Sequence, residues 1–207
     1  MNEGQATEGR AGVGRVEAFS DGVLAIIFTI MVLELKAPEE PGFAHLWRLW
    51  PTFLAYLLSY AYVAIYWVNH HRLFGHARGV TSGLLWSNIV LLFTLSLVPF
   101  STAYLGEHHF ARDATVLYLI SLLLPSLAYM ALQNAIMRPA HCTTAEQRYL
   151  IATRHKGHAA SLVYLAGIGL TFVSEWLGIA AAALVALFWF LPFSRLDALF
   201  LPAVLDD

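Results

Sequence analysis

Long apolar runs alternate with short polar breaks along the whole chain. A helix that crosses a bilayer needs about 20 mostly apolar residues, because each residue rises about 1.5 Å through a hydrocarbon layer about 30 Å thick. Six stretches approach that length: Val16–Leu35, Trp50–Val68, Leu84–Leu105, Ala114–Met137, Ala159–Val173 and Trp176–Phe193. The last two are short, with only Ser174 and Glu175 between them. They predict a tight helical hairpin, with a single re-entrant element as the alternative. The pattern therefore predicts an all-α integral membrane protein with six transmembrane helices. One membrane domain would span residues 15–195. A polar, Gly-rich leader at 1–14 is expected to be disordered and cytoplasmic, and residues 196–207 to form a short cytoplasmic tail.

Prolines and aromatics punctuate this pattern. Pro38 and Pro41 flank Glu39 and Glu40 after the first run, and Pro51 sits in the first turn of the second, where a missing N–H costs little. Pro99 and Pro125 fall inside apolar runs and predict kinks. Trp47, Trp50, Tyr104 and Trp176 lie near the ends of spans, as an interfacial aromatic belt requires. Thr143, Thr144 and Glu146 form a helix-start signal before the fifth run. No internal repeat or second domain is visible.

Composition narrows the function classes. Apolar residues make up 58% of the chain and charged residues 13%, too few charges for an ordinary soluble domain. The net charge of -2 leaves no basic footprint for nucleic acid. Cys142 is the only cysteine, so it forms no intrachain disulfide. The first apolar run is too long for the core of a cleaved signal. With the N-terminus placed in the cytoplasm, nine of the 12 Lys and Arg residues fall on inner segments. That bias predicts a multi-pass cell-membrane protein with both termini inside.

The first run carries the candidate chemistry. Arg15, Glu17, Ser20 and Asp21 sit at the membrane boundary, where ionisable groups are costly unless paired or hydrated. At 100° per residue, Arg15, Phe19, Gly22, Ile26, Ile30 and Leu33 form one stripe, with Thr29 beside it. Asp21 lies about 140° from Ile26, so the two cannot face the same partner. In the second run Trp67, His70, His71 and Phe74 share a face by three- and four-residue spacing. Trp86 and Asn88 begin the third run at the same depth. A buried network of Asp21, a histidine and Asn88 is expected to brace the helices, with Arg15 and Ser20 in the same structural role.

These residues carry a resemblance. Arg15-x-x-x-Phe19-Ser20-Asp21, ahead of a long apolar helix ending Leu33-Glu34-Leu35, resembles the RxxxFSD signature of the transmembrane protein 175 family of potassium channels. Trp67-Val-Asn-His-His-Arg-Leu-Phe74 is similar to the end of that family's second helix. Leu85-Trp-Ser-Asn-Ile-Val-Leu-Leu-Phe93, with Pro99-Phe100, is similar to its third. The resemblance implies a homotetramer in a lipid bilayer, with the first helix of each subunit lining a central pore. It implies that Ile26 forms the constriction, that Thr29 helps select potassium, and that Ile30 and Leu33 form further apolar rings. Potassium would be the permeating ion, held transiently near Thr29, with no cofactor and no bound metal.

The physics of such a pore is plain. Apolar side chains meeting at an axis close it by sterics and dewetting. A ring of hydroxyls offers an ion weak, uncharged ligands that do not trap it. Glu34, near the outer end, is a candidate for concentrating cations at the mouth. No Arg-rich helix is present to sense voltage, so a leak-type channel is expected. The rival reading is a proton- or ion-coupled transporter using Asp21 and the histidines. His70–His71 and His108–His109 are sequence neighbours that point about 100° apart on a helix and chelate poorly. A nucleophile elbow and a zinc-protease motif are both missing, so no enzyme or catalytic residue is expected. A pH response through His70 or His71 is the remaining histidine chemistry.

Overall fold

The structure is a computed structural model that describes residues 3–137 and 144–190, with side chains from 9–137 and 151–190. Among the described residues every regular element is a helix: α1 (Glu3–Leu33), α2 (Phe43–Arg48), α3 (Trp50–Phe74), α4 (Ser82–Ser96), α5 (Val98–Glu107), α6 (Arg112–Met137), α7 (Thr144–Thr171) and α8 (Glu175–Phe190). Four segments are long and apolar enough to cross a membrane: Gly9–Leu33, Trp50–Phe74, Ser82–Glu107 and Arg112–Met137. They coincide with the first four expected spans. The expected fifth span falls in the C-terminal half of α7. The expected sixth begins in α8, a shorter apolar helix, and its end lies outside the described residues, as does the tail.

The leader departs from the expectation, and the third span keeps its extent but shows the break that Pro99 predicts. The leader expected to be disordered is helical from Glu3 onward and runs into the membrane helix without a break. Extending an existing helix avoids the cost of nucleating a new one. The extension also packs. A Cβ on Gly9 would lie 3.0 Å from the Arg78 carbonyl oxygen, and one on Gly12 would lie 3.2 Å from Val80 Cγ2. The third span, in turn, is two helices. Leu97 separates α4 from α5, and Pro99 in the first turn of α5 has no N–H to bond the Leu95 carbonyl. The Leu97 N–H turns back to the Thr94 carbonyl at 3.3 Å. Pro125, by contrast, is accommodated inside a continuous α6.

Two cores hold the bundle. The first joins α1, α3, α4 and α6 through Leu24, Ile27, Met31, Val63, Leu91 and Leu132. The second joins α3, α5, α6, α7 and α8 through Tyr62, Leu105, Tyr118, Leu122, Tyr164 and Ala182. α3 and α6 contribute to both, so they form the spine of the subunit. Lipid tails are as apolar as these side chains, so close packing and interhelical hydrogen bonds, not burial from water, hold such contacts in a bilayer. Small residues permit the approach. A Cβ on Gly106 of α5 would lie 2.7 Å from Thr52 Cα of α3. On α8, Gly178 seats against Thr171 of α7.

Candidate functional site: the two faces of helix α1

α1 presents two faces with opposite fates. Val13, Ser20, Leu24, Ile27 and Met31 are buried and form a stripe in steps of three, four or seven residues. The other face points away from the subunit. Phe19, Ile26, Thr29, Ile30 and Leu33 are all exposed, Ile26 at 58% and Leu33 at 74%. The expected stripe is therefore the uncovered one. Thr29 donates its hydroxyl hydrogen to the Ile26 carbonyl at 2.9 Å. That bond spends the hydrogen on the backbone, while the oxygen keeps lone pairs for an outside partner.

A groove runs beside this stripe. Val23, Ile26, Ile27, Ile30 and Glu34 line its α1 side; Ser96, Pro99, Phe100 and Ala103 line the other. The break between α4 and α5 therefore lies next to the exposed apolar stripe. Just beyond, Lys36 Nζ pairs with Glu107 Oε1 at 2.8 Å, tying the end of α1 to the end of α5. Its hydrogen bond with Glu107, and that group's charge, raise the Lys36 pKa above its ordinary value.

Polar residues on the remaining sides of α1 attach it to α3 and α4. Asn88 Nδ2 donates to Ser20 Oγ at 2.9 Å, and Ser20 Oγ donates to the Val16 carbonyl. On the other side of the same amide, Asn88 Oδ1 lies 2.9 Å from His70 Nε2. All three residues are buried, Ser20 completely at 0% exposure. His70 stacks on Phe74 with ring centroids 4.3 Å apart. Nearer the surface, Trp67 Nε1 donates to Asp21 Oδ1 at 3.0 Å, and His71 Nδ1 lies 2.7 Å from Glu17 Oε1.

Ser20, Asp21, Trp67, His70, His71 and Asn88 thus meet at one junction, but as two separate sets of bonds. Asp21 does not share a bond with His70 or Asn88. Arg15 is exposed on the stripe of Phe19 and Ile26, and it makes no hydrogen bond or ion pair to the described residues. Trp86 is also exposed and stays out of the network. Glu17 was the partner that spacing could have identified. Glu17 and Asp21 are four residues apart on α1, as Trp67 and His71 are on α3. Antiparallel helices then match Glu17 to His71 and Asp21 to Trp67. Among the described residues, no three His, Cys, Asp or Glu side chains are grouped to hold a metal ion.

The family described as endosomal/lysosomal potassium channel TMEM175 matches residues 15–99, the stretch that holds α1 from Arg15 onward, both sets of bonds and the α4–α5 break. A potassium channel of Chryseobacterium is 44% identical over 184 residues, covering 89% of this chain and 95% of the relative. A potassium channel of Streptomyces collinus is 36% identical over 186 residues, covering 85% of this chain and 90% of the relative. The crystal structure of a lysosomal potassium-selective channel TMEM175 homolog from Chamaesiphon minutus superposes with a TM-score of 0.78 at 31% identity, covering 86% of this chain and 96% of that one.

Proposed function

The chain belongs to the TMEM175 family of potassium channels, and from that premise we propose that four copies surround one pore lined by the exposed stripe of α1. The protein is a potassium channel, not an enzyme. The observation that carries the pore assignment is the exposure of Ile26, Thr29, Ile30 and Leu33 on a helix whose opposite face is fully buried. An apolar row of this kind suits either lipid or a shared axis. Thr29 on the row and Glu34 in the groove beside it favour the axis, because a hydroxyl and a carboxylate there serve a cation and cost energy in lipid.

In this reading each subunit crosses the membrane six times. The four long spans are joined by the C-terminal half of α7 and by α8. Both termini lie in the cytoplasm, as the distribution of Lys and Arg favours. Ile26 side chains meet at the axis and set the constriction, and Ile30 and Leu33 repeat the apolar ring toward the outside. Thr29 oxygens offer weak ligands to a partly dehydrated potassium ion. Asp21, Ser20, His70, His71 and Asn88 fix the rotation of α1 so that Ile26 faces the axis. Arg15, on the pore-side stripe and below Phe19, belongs to the inner vestibule or to contact with a second copy.

Conduction needs no cofactor and no coupled substrate. A transporter using Asp21 and His70 would need those groups turned toward a substrate, but they are bonded to Trp67 and Asn88. The deciding experiment is ion flux in liposomes. Purified protein is expected to pass potassium down its gradient faster than sodium, with no co-substrate, and Ile26→Asn or Ile26→Cys to change the leak or its selectivity. Flux that requires a proton gradient would establish the transporter. Ile26 variants indistinguishable from wild type would remove Ile26 from the pore.

A further inference from the structure

α3 carries a second polar seam, on the side away from α1, that conduction does not use. Ser59, Tyr62, Tyr66 and Asn69 follow at steps of three or four residues along one face. Thr102 of α5 donates to Ser59 Oγ at 2.7 Å, and Ser59 lies 2.9 Å from the Tyr118 hydroxyl of α6. The Tyr62 hydroxyl donates to the Ala182 carbonyl of α8. The Tyr129 hydroxyl of α6 donates to the Asn69 backbone carbonyl at 3.0 Å. Along most of its length, then, the seam finds partners on other helices.

It fails at one atom. Asn69 is 4% exposed, and its Nδ2 donates to the Ile65 carbonyl at 2.8 Å. Asn69 Oδ1 has no hydrogen-bond partner among the described residues. Asn69 also lines an enclosed space between α3, α6, α7 and α8, together with Tyr62, Tyr66, Ser126, Tyr129 and Tyr164. The centre of a water-sized sphere has ≈ 20 Å³ there. One water needs about 10–15 Å³ by that measure. The space therefore takes one water and excludes a hydrated ion or an organic ligand. Genuinely dry cavities are lined by apolar groups alone, whereas this one sets hydroxyls and an amide among the apolar side chains of Ile65, Ala160 and Trp189.

We propose that this space is a binding site for a single ordered water, which donates one hydrogen to Asn69 Oδ1 and shares a second bond with the hydroxyl oxygen of Ser126, Tyr66 or Tyr164. Buried waters make two to four hydrogen bonds, and the lining supplies that number. The water completes the seam and links α6 and α7 to α3. Asn69 precedes His70 in the chain, so the same turn of α3 faces the water on one side and Asn88 on the other. The site belongs to the folded subunit, and its test reads density and melting, not ion flux.

The test is density in the wild-type protein, purified whole in lipid nanodiscs, at a resolution that shows other buried waters. A peak is expected at roughly 2.7–3.2 Å from Asn69 Oδ1 and from one hydroxyl oxygen. An empty space, with other buried waters visible, overturns the proposal. Ala160, buried on the wall of the same space, gives a second measurement. Ala160→Val fills the space. If water is bound, it is displaced, Asn69 Oδ1 is stranded, and the melting temperature falls by several degrees. Adding Asn69→Leu to Ala160→Val should then recover part of that loss. A melting temperature that rises on Ala160→Val alone marks a dry void and overturns the proposal.

Discussion

Asn88 Nδ2 and Ser20 Oγ are 2.9 Å apart at a fully buried contact between α4 and α1. The same amide reaches His70 on α3, so one side chain joins three helices. Ser20 stands on the buried stripe of α1 that also holds Leu24, Ile27 and Met31. Fixing Ser20 fixes the rotation of the helix, and with it the direction in which Ile26 points.

Asn88→Ala should therefore destabilise the subunit. It strands the buried His70 imidazole, which costs about 1–3 kcal/mol without its partner, and leaves the Ser20 hydroxyl only its bond to the Val16 carbonyl. Thermal melting of the purified protein in detergent is expected to show a loss of that order. Asn88→Asp, which keeps an acceptor for His70 but not the amide hydrogens for Ser20, should lose more than Ser20→Ala does. Equal melting curves for Asn88→Ala and wild type would mean that the contact does not hold α1.

Ile26 should behave in the opposite way. Its side chain is 58% exposed on the subunit, so shortening it removes little packing within one copy. Ile26→Ala is expected to leave the subunit's melting within about 0.5 kcal/mol of wild type, as surface substitutions do. Potassium and sodium flux through liposomes should change with the same substitution. Ile27→Ala is the matched control. Ile27 is buried, so its truncation should cost about 2–5 kcal/mol.

The contrast between Ile26 and Ile27 shows what the sequence could reveal. Both are isoleucines in an apolar helix, and hydropathy cannot tell which one faces outward. The polar residue does. Ser20 lies on the face of Leu24 and Ile27 by three- and four-residue steps, and its hydroxyl needs a protein partner inside a membrane. The stripe of Ile26 is then the opposite one. Helix existence followed from the same periodicity, but the α1–α3 contacts did not: the expected network ran through Asp21, a histidine and Asn88, whereas Asp21 bonds Trp67 and Glu17 bonds His71. Two other features were hidden. The leader contains four glycines, Gly4, Gly9, Gly12 and Gly14, that read as disorder, yet a neighbouring membrane helix nucleates it. Arg15, expected to brace the helices with Ser20 and Asp21, is instead exposed on the stripe of Phe19 and Ile26. A motif groups residues by sequence, and the helix sorts them by angle.

Lys36 and Glu107 join the ends of α1 and α5 through an exposed pair. Its contribution to stability should be small and sensitive to salt, because water screens such pairs. The Lys36 pKa is raised in the folded protein, so the stabilisation is fully present below the unfolded lysine value of about 10.4. It fades as pH rises through the higher folded value. Lys36→Met should therefore differ from wild type at neutral pH in low salt, and the two should converge as pH rises through the raised lysine value or in 1 M salt. Melting curves across those conditions check it. A difference that persists in 1 M salt would mean that Lys36 acts through packing of its stem.

Gly106 offers a packing test that is independent of charge. A methyl group there would lie 2.7 Å from Thr52 Cα, inside the contact distance that real Cβ atoms keep. The obstacle is the backbone of α3, so no side-chain rotation relieves it. The two helices must separate, which loosens Leu105 and Ala55 in the second core. Gly106→Ala is expected to cost about 1–3 kcal/mol, the usual range for overpacking, although alanine favours helix more than glycine does. Gly169 is the control, since a Cβ there meets nothing within 4 Å and its neighbourhood on α7 is open. Gly169→Ala should raise the melting temperature slightly through helix propensity. If both substitutions stabilise, then α3 and α5 are not held at the separation that Gly106 permits.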